Sequence, residues 1–289
     1  MSDQRILDII IVSYNSNDCL GRCLESMERT IGDTRSRIIV VDNASTDDVY
    51  SITSLFSSVE AKKNKVNVGF AGAVNRAIRE SSSPYLVILN PDTIIHGDFF
   101  KEALKFMEKN PDVSIIGPKI MDSDGTVQGS ARSFPTPLTA IFGRSSFLTR
   151  FFPKNPISRQ NILTADTDSQ NAIPVDWVSG ACMIVRRSAI ERVGLMDERF
   201  FMYWEDADWC RRMADAGFKV MYYPLISMTH HIGKSSKTRF FRSAFDFHWS
   251  AFKLYRKYTP VIKFIMMQPI LIPGLMIRCM IVILRGSKH

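Results

Sequence analysis

Acidic side chains follow two apolar runs of this sequence. Residues 38–41 lead directly into Asp42, and residues 86–89 are followed closely by Asp92. An aliphatic run that ends near an acid is typical of a buried strand, and the carboxyl edge of a parallel sheet is where open α/β folds bind ligands. Carboxylate oxygens suit Mg²⁺ or Mn²⁺, and a bound diphosphate can complete the ligand set. The pattern predicts a nucleotide pocket in which Asp42 accepts a hydrogen bond from the base or ribose and Asp92 binds a divalent cation. The alternative is that each acid caps a following helix.

Two adjacent acids, Glu205 and Asp206, follow five bulky residues at positions 200–204. Carboxyl groups in an apolar setting lose solvent and become more basic, which suits a general base. The alternative is that these acids and Asp208 lie in the first turn of a helix and only interact favourably with its N-terminal end, while the aromatic residues fill the core.

Two further segments are candidates for ligand binding. Small residues between Asn67 and Asn75 predict a helix start whose backbone N–H groups could meet an anionic or polar ligand, and a tightly packed helix start is the alternative. His230 and His231 are near one another in sequence after a predicted strand, and one of them is a candidate metal ligand. A purely structural histidine is the alternative there.

Apolar periodicity supplies the elements that must position these side chains. The predicted strands are residues 6–13, 37–42, 85–89, 182–186 and 218–223, and the predicted helices are residues 20–27, 70–80, 98–107 and 205–216, with a short one from 45–48. Because strand and helix alternate over the first 110 residues, the pattern predicts an α/β fold with a parallel sheet covered on both faces. A hairpin-type turn at 122–125 precedes an irregular stretch at 134–170, which is typical of a substrate loop, a lid or a disordered segment.

Length and composition are those of a globular protein. The 289 residues with 45% hydrophobic content suffice for one large α/β domain with a small appendage. The five cysteines are odd in number and lack the spacing of a metal site, so we expect free thiols in a reducing compartment. The first strand begins so close to residue 1 that we expect no signal peptide and a cytoplasmic location.

The positive charge is concentrated in the C-terminal tail. Residues 233–289 contain 11 Lys or Arg and one acid, so the net charge of this segment is 11 − 1 = +10. This value exceeds the net charge of +8 for the whole chain. Residues 261–284 carry only two charges, and Pro269 and Pro273 interrupt this apolar stretch. We expect a broken helix that lies in the interface of an anionic membrane, since apolar and basic residues together favour that partner over nucleic acid. A helical hairpin that covers the protein's own core, or a homodimer contact, is the alternative.

Six motifs in sequence order resemble those of family-two glycosyltransferases, specifically their rhamnosyltransferase-like branch. They are IIVSYN at 10–15, VDNASTD at 41–47, NVGFA at 67–71 with Asn75, NPD at 90–92, VDWVSGA at 175–181 and WED at 204–206. His230 fits the family's H-x-x-G-x-S pattern better than His231 does. The family often carries Asp-X-Asp where this chain has Asn90 at the first position, so one carboxylate is missing.

The resemblance implies a GT-A fold, which is a Rossmann-like mixed sheet with helices on both faces, followed by a C-terminal helical tail. It implies a catalytic domain at 1–236 and a basic, apolar tail at 237–289 that associates with a membrane or a second subunit. The residues implied to line the nucleotide are Ser13, Tyr14, Asn15, Asp42, Asn43, Asn67, Gly69, Phe70, Ala71, Asn75, Asn90 and Asp92. The residues implied to face the acceptor or sugar are Trp177, Ser179, Gly180, Ala181 and Trp204.

The resemblance also implies an inverting glycosyltransferase. Asp206, with Glu205 as the alternative base, would take the proton from an acceptor hydroxyl. Asp92 and His230 would hold Mg²⁺ or Mn²⁺ on the diphosphate of a dTDP- or UDP-sugar, with rhamnose from dTDP-rhamnose as the expected sugar. A saccharide acceptor linked to a lipid is implied, as in O-antigen or cell-wall polysaccharide synthesis. The enzyme would then be peripheral on the inner face of the plasma membrane.

Other function classes fit the motifs less well. A nucleotidyltransferase that forms sugar nucleotides would carry a Gly-rich loop with Arg or Lys after the first strand, where this chain has the residues YNSN at 14–17. A dehydrogenase would carry G-x-G-x-x-G at that place. A non-catalytic nucleotide-sugar-binding or scaffold protein is conceivable because of Asn90, but Asp206 and His230 are both present and argue against it.

Overall fold

The computed structural model describes residues 5–134, 171–231 and 240–286. The predicted irregular stretch therefore lies, apart from Phe134, outside the described residues. The strands are β1 (Leu7–Ser13), β2 (Ser36–Asp42), β3 (Val59–Lys63), β4 (Tyr85–Leu89), β5 (Thr93–His96), β6 (Val113–Met121), β7 (Ala131–Arg132), β8 (Ile173–Pro174), β9 (Trp177–Val178), β10 (Cys182–Arg186) and β11 (Lys219–His230). The helices are α1 (Asn17–Ile31), α2 (Val49–Thr53), α3 (Gly69–Arg79), α4 (Phe99–Lys109), α5 (Arg187–Val193), α6 (Glu205–Asp215), α7 (Phe240–Tyr258) and α8 (Val261–Gly286).

One mixed sheet dominates the described part of the chain. Its strand order is β3-β2-β1-β4-β10-β6-β11-β5, and β8 also pairs with β11. Strands β1 to β4 run parallel to their neighbours among themselves, whereas β10 is antiparallel to both β4 and β6. Strands β7 and β9 form a separate two-stranded ribbon. The predicted α/β fold with a mixed sheet is therefore confirmed.

β1 is mostly apolar because both faces of the sheet are covered by helices. All seven residues of β1 are buried. Successive side chains of a strand point to opposite faces, so Ile9 and Ile11 pack in one core with residues of α1 and α4. Ile10 and Val12 pack in a second core with residues of α3 and α6. Helices on both faces confirm the predicted layer arrangement.

Six strands were not predicted, three of which (β7, β8 and β9) are only two residues long, and one predicted strand is longer than expected. β3 is an edge strand in which Glu60 and Lys62 interrupt the apolar pattern, as charged residues commonly do at exposed edges. β5 and β6 were also missed, and β11 continues seven residues beyond the predicted end at Tyr223. Pro224 argues against a continuing strand in the sequence, but the pairing of β11 with β6 shifts register between Tyr223 and Ser227 and accommodates it.

The tail consists of two helices that pack on each other through Tyr255, Phe264 and Leu271. The predicted break in the second helix is wrong, because α8 runs through Pro269 and Pro273 as one helix. Each proline removes one backbone donor, and the remaining bonds on either side maintain the helix. By length and composition, residues 261–283 of α8 could cross a membrane, and only 6% of the apolar window is buried.

Helix α7 packs against the loop that leads into α6. The indole Nε1 of Trp204 donates to the carbonyl of Phe247 at 3.1 Å. The hydroxyl of Ser250, which is buried, donates to the carbonyl of Met202 at 2.9 Å. The Nζ atom of Lys253 donates to a third carbonyl of this loop at 2.5 Å. The first helix of the tail therefore holds the segment that carries the candidate base.

Candidate active site

Asp42 stands at the carboxyl end of β2 with its side chain 1% exposed. Its Oδ1 accepts a hydrogen bond from the Ser45 backbone N–H at 2.8 Å. Its Oδ2 lies 3.5 Å from Lys63 Nζ and has no hydrogen-bond partner among the described residues. The helix-capping alternative is wrong for Asp42, because α2 begins at Val49 and is capped by Asp48. A buried carboxylate oxygen thus lies at the sheet edge with Lys63 as its ionic neighbour and with no hydrogen-bond donor among the described residues.

The turn after β1 is tied to the turn after β2. Ser13 lies opposite Asp42 in the register of the two strands. The Asn15 backbone N–H donates to Ser45 Oγ at 3.0 Å. Asn15 Oδ1 accepts a hydrogen bond from the Thr46 backbone N–H at 2.8 Å. Tyr14, between them, is partly exposed at the same edge. The structure therefore brings these predicted nucleotide-lining residues together.

Asn43, which is buried, organises the segment that precedes α3. Its Oδ1 accepts hydrogen bonds from Asn64 Nδ2 at 3.0 Å and from the Val68 backbone N–H at 3.1 Å. Its Nδ2 donates to Asn67 Oδ1 at 2.9 Å and to the Gly69 carbonyl at 3.1 Å. The Asn43 side chain therefore joins the end of β2 to the segment between β3 and α3.

The sequence suggested that backbone N–H groups at the start of α3 bind a ligand. This is wrong for the first two residues of α3, because their N–H groups donate to other groups of the protein. Gly69 N–H donates to Asn67 Oδ1 at 2.9 Å, and Phe70 N–H donates to the Phe201 carbonyl at 2.8 Å. Gly69 has a φ of +79°, and a Cβ there would lie 2.3 Å from the Phe201 carbonyl oxygen, so glycine is required. Ala71 is fully buried behind them.

Asn75 binds a loop of the protein, which corrects its expected contact with the nucleotide. Its Nδ2 donates to the Met196 carbonyl and to Glu198 Oε1, both at 2.9 Å. Its Oδ1 accepts from the Met196 N–H at 3.0 Å, and the side chain is 1% exposed. Asn75 therefore anchors the loop that leads towards α6.

Asp92 and His230 meet where β5 and β11 pair. His230 Nε2 lies 3.2 Å from Asp92 Oδ1, with side-chain exposures of 14% and 12%. Asn90 Nδ2 lies 3.4 Å from the same His230 nitrogen. The helix-capping alternative is wrong for Asp92, because β5 follows it directly. His231 differs, since its Nδ1 is paired at 2.7 Å with the exposed Ser123 hydroxyl.

The Asp92–His230 pair fits a divalent cation. In the octahedral geometry of Mg²⁺, with ligands about 2.1 Å from the ion, neighbouring ligand atoms are about 3 Å apart, which the 3.2 Å separation matches. Within residues 5–134, 171–231 and 240–286, no group of three or more His, Cys, Asp or Glu side chains could hold an ion. Such an ion would need further ligands from a bound diphosphate or from water.

A strained turn presents the candidate base. Tyr203 and Trp204 are consecutive and have φ values of +68° and +71°, a conformation that costs on the order of 1–3 kcal/mol for such residues. The Trp204 ring contacts the rings of Trp177 and Phe247 at centroid distances of 5.9 Å and 5.2 Å. These contacts and the α7 hydrogen bonds fix the start of α6.

Asp206 and Glu205 lie in the first turn of α6 but differ in their hydrogen bonds. Asp206 Oδ2 accepts from the Gly180 N–H and Oδ1 from the Ala207 N–H, both at 2.8 Å. Burial raises the pKa of Asp206 above its usual value, while these N–H groups and the Arg132 guanidinium counteract part of that rise. Burial raises the pKa of Glu205 well above its usual range, and the Asp206 charge raises it further. Glu205 Oε2 is buried with no hydrogen-bond partner in the described chain. The arrangement favours a charged Asp206 beside a neutral Glu205.

The segment between β9 and β10 joins the two candidate centres. Gly180 donates to Asp206 as described, and a Cβ on Gly180 would lie 3.4 Å from Asp206 Oδ2. The next residue, Ala181, accepts at its carbonyl from the Asn90 N–H at 3.0 Å. Ser179 N–H donates to the Ser130 carbonyl at 2.8 Å. The expected acceptor-side segment thus links the base to the Asp92–His230 pair.

Sequence reasoning missed Arg132 and Gln128. Arg132 lies on β7, with its guanidinium 5.2 Å from the Trp177 ring centroid, and its charge acts on Asp206. Gln128 contacts His230 through both ends of its amide. Because β7 and β9 are only two residues long, residues 126–134 show no apolar periodicity. The sequence therefore contains no local pattern that would identify either residue.

A cavity of about 160 Å³ lies between α6 and the tail helices. Ala207, next to the candidate base, lines it together with Leu254 and Met267, and Arg211 and Lys263 contribute positive charge. Its lining therefore combines cationic and apolar groups beside the helix that carries Asp206.

Comparisons with known proteins agree on one family and one fold. Residues 8–194 match the model for glycosyl transferase family 2. The chain is 31% identical over 250 residues to an N-acetylglucosaminyl-diphospho-decaprenol L-rhamnosyltransferase from Mycobacterium tuberculosis, covering 80% of this chain and 78% of that protein. It is 29% identical over 251 residues to rhamnosyltransferase WbbL from Escherichia coli, covering 83% and 88%.

Among solved structures, GalNAc-T7, crystallised with UDP, GalNAc and Mn²⁺, matches with a TM-score of 0.60 and 15% identity. The match covers 78% of this chain, which spans 43% of the GalNAc-T7 chain. At this identity the likeness concerns the fold, and the predicted GT-A fold is confirmed.

Proposed function

The chain belongs to glycosyl transferase family 2 and is a glycosyltransferase, and we propose that it transfers rhamnose from dTDP-rhamnose to a saccharide acceptor with inversion. The observation that carries the proposal is the Asp206 carboxylate, which is held by Gly180 in the segment that also contacts Asn90. The two relatives described above are named rhamnosyltransferases, and the first name specifies an N-acetylglucosaminyl-diphospho-lipid acceptor. A UDP-sugar is the alternative donor.

We assign the nucleotide to the sheet edge formed by the ends of β1 and β2. Asp42 Oδ2, which is buried and has no hydrogen-bond donor among the described residues, would accept a hydrogen bond from the base or ribose. Asp92 and His230 would hold Mg²⁺ or Mn²⁺ on the donor diphosphate, a choice supported by the Mn²⁺ and UDP in the GalNAc-T7 structure. When bound, the ion would stabilise negative charge on the departing diphosphate.

Asp206 acts as the general base in this proposal. Its two N–H partners maintain it as a carboxylate, and the turn at Tyr203 and Trp204 aims it at the acceptor hydroxyl. Asp206 removes the hydroxyl proton while the acceptor oxygen forms a bond to the anomeric carbon. The bond from that carbon to the diphosphate oxygen breaks on the opposite face, which inverts the configuration.

The experiment is a transfer assay with the full-length protein. dTDP-rhamnose and a panel of UDP- and GDP-sugars are each offered with a short-chain N-acetylglucosaminyl-diphospho-lipid, with and without Mn²⁺. We expect transfer from dTDP-rhamnose, a 10²–10⁴-fold loss in Asp206→Asn with dTDP binding retained, and a much smaller loss in Glu205→Gln. Transfer of a different sugar would overturn the donor assignment, and near-normal turnover of Asp206→Asn would overturn the assignment of the base.

We propose that the acceptor is anchored in a membrane beside the tail. The cavity between α6 and α8 suits a diphosphate near Arg211 and Lys263, followed by an apolar chain. Helix α8 exposes large apolar side chains, among them Ile262 at 76% and Met266 at 74% exposure. Such a surface with nearby basic residues would bind an anionic membrane on the cytoplasmic side.

The domain organisation of this proposal assigns 1–236 to the catalytic domain and 237–289 to the tail. Helix α7 belongs to both in function, since Phe247 and Ser250 support the turn that carries the base. A homodimer contact through α8 is the alternative use of its exposed face.

A further inference from the structure

Gln128 contacts His230 through both ends of its side-chain amide. Gln128 Nε2 donates to the His230 carbonyl at 3.0 Å and to Asp122 Oδ1 at 2.8 Å. Gln128 Oε1 lies 3.2 Å from His230 Nδ1. A backbone carbonyl and a carboxylate can only accept hydrogen bonds. The amide orientation is therefore fixed, with its NH₂ group on these two oxygens and its oxygen facing the imidazole.

This orientation determines where the imidazole carries its proton. Since Gln128 Oε1 can only accept, His230 Nδ1 must carry a hydrogen to make the 3.2 Å contact favourable. In a neutral imidazole, Nε2 then has a free lone pair.

Asp92 Oδ1, which is also an acceptor, lies 3.2 Å from His230 Nε2. Two lone pairs that face each other at this distance repel unless a cation or a second ring proton lies between them. We propose that Gln128 is a positioning residue that keeps His230 in its Nδ1–H tautomer, so that Nε2 and Asp92 Oδ1 face a divalent cation together. The inference rests on the proposed metal-dependent transfer and extends it to a residue outside the ligand pair.

The alternative is that His230 carries its hydrogen on Nε2 and donates it to Asp92. Gln128 Oε1 would then face an unprotonated Nδ1, which places two acceptors 3.2 Å apart. The Nε2–H alternative thus leaves an unfavourable contact with Gln128 that an ion at Asp92 cannot relieve, whereas the proposed tautomer leaves one that a cation relieves. A doubly protonated ring would donate to both Gln128 and Asp92, and the first test separates that form from the proposed one.

The first test observes the tautomer directly, by ¹⁵N NMR of the histidine side chains in the metal-free full-length protein at pH 8. The His230 signal is assigned from its loss in His230→Asn. We expect the Nδ1–H form in the wild type and a shift towards the Nε2–H form in Gln128→Leu. An Nε2–H or doubly protonated ring in the wild type would overturn the proposal.

The second test measures Mn²⁺ affinity by electron paramagnetic resonance in the presence of dTDP. Loss of a partner that orients a metal-binding histidine weakens metal affinity by roughly 10–100-fold, and we expect this in Gln128→Leu. Ser123→Ala is the matched control, because its hydroxyl pairs with His231 instead. Unchanged Mn²⁺ affinity in Gln128→Leu would overturn the positioning role.

The two tests separate this inference from the proposed function. If the wild type bound no Mn²⁺ with dTDP, the metal-dependent mechanism would fail, and the role of Gln128 towards a cation would fail with it. If the wild type bound Mn²⁺ but Gln128→Leu did so equally well, only the role of Gln128 would fail. Thermal unfolding of each variant shows whether the fold is intact.

Discussion

The Nζ atom of Lys257 lies 2.5 Å from Oδ1 of Asp208, whose side chain is fully buried. Tyr258 donates to the same oxygen at 2.8 Å, and Arg212 donates to Oδ2 at 2.9 Å. Lys257 Nζ also lies 2.8 Å from Asp197 Oδ2. An ion-pair network therefore fastens α7 to α6 two residues after the candidate base.

Lys257→Met should destabilise the protein and impair transfer. Breaking a buried ion pair costs up to about 3–5 kcal/mol, and the partners that Asp208 retains reduce that cost. In a protein of this size each kcal/mol lowers the Tm by roughly 2–4 °C. Calorimetry and the transfer assay measure both effects. Arg256→Met is the control, because Arg256 is exposed on the same helix. Equal Tm values for both variants would show that the ion pair contributes nothing.

As the pH is lowered, the transfer rate should begin to fall at a higher pH than it would for a base with the pKa of an ordinary aspartate. Burial raises the pKa of Asp206, so the carboxylate becomes protonated, and the rate falls, as the pH drops through that raised value. Arg132→Met removes a charge that lowers this pKa, so the acidic limb of kcat/KM should move to higher pH. Arg132→Lys should restore it. The profile is measured with a short soluble acceptor, and an unmoved limb in Arg132→Met would contradict the prediction.

Asp92→Ala should weaken donor binding in the presence of Mn²⁺ by at least about tenfold, or ~1.4 kcal/mol. Calorimetric titration with dTDP measures this, and Glu108→Ala, an exposed acid on α4, is the control. Excess chelator should abolish transfer by the wild type and make the dTDP affinities of wild type and Asp92→Ala similar. Full activity in chelator would instead identify a metal-free enzyme, consistent with Asn90 in place of an acid.

The exposed face of α8 should bind anionic vesicles. Replacing Ile262, Met266 and Ile270 by Gln should reduce sedimentation with vesicles that contain phosphatidylglycerol, because it removes apolar area. Added salt should weaken binding of the wild type, since basic residues contribute about 1 kcal/mol each at such a surface. Leu55→Gln is the control, because Leu55 is 76% exposed far from the tail in sequence. Unchanged vesicle binding with loss of a dimer in light scattering would identify α8 as a subunit contact.

Arg211→Gln combined with Lys263→Gln should discriminate between acceptors. A lost charged hydrogen bond costs about 1.5–3 kcal/mol, so the KM for a diphospho-lipid acceptor should rise about tenfold or more. The KM for a soluble saccharide without a diphosphate should not change, and Arg256→Gln should leave both values unchanged. Equal effects on both acceptors would assign the cavity to the stability of the helix junction.

Among the strands, four with nearly complete burial were predicted with bounds close to the observed ones. β1, β4 and most of β2 and β10 are apolar on both faces, which is why they were predicted as strands. The GT-A fold was implied by the resemblance of the motifs and not by the strand pattern. β3 escaped prediction because an edge strand carries charge. The continuity of α8 also escaped, because the effect of an internal proline depends on the bonds around it and not on its own identity.

Local sequence patterns likewise predicted some residues of the candidate site and not others. Strand ends placed Asp42 and Asp92 at the sheet edge in the sequence, and the structure gives both a buried position there. The sequence could not separate Glu205 from Asp206, since their difference arises from Gly180, which lies 26 positions from Asp206. Arg132 and Gln128 reach the site through long-range pairing that no local pattern encodes. The roles of all these residues stay predictions until the variants are measured.

The place of β10 in the sheet has a consequence for synthesis of the protein. β10 lies between β4 and β6, yet it is made after both of them, at residues 182–186. At 5–20 residues per second, a ribosome needs roughly 3–13 s to proceed from the end of β6 to the end of β10. During that interval the strand edges that β10 later covers are open to other chains. Nascent chains of this enzyme should therefore depend on chaperones during that stage of translation, well before the tail exists.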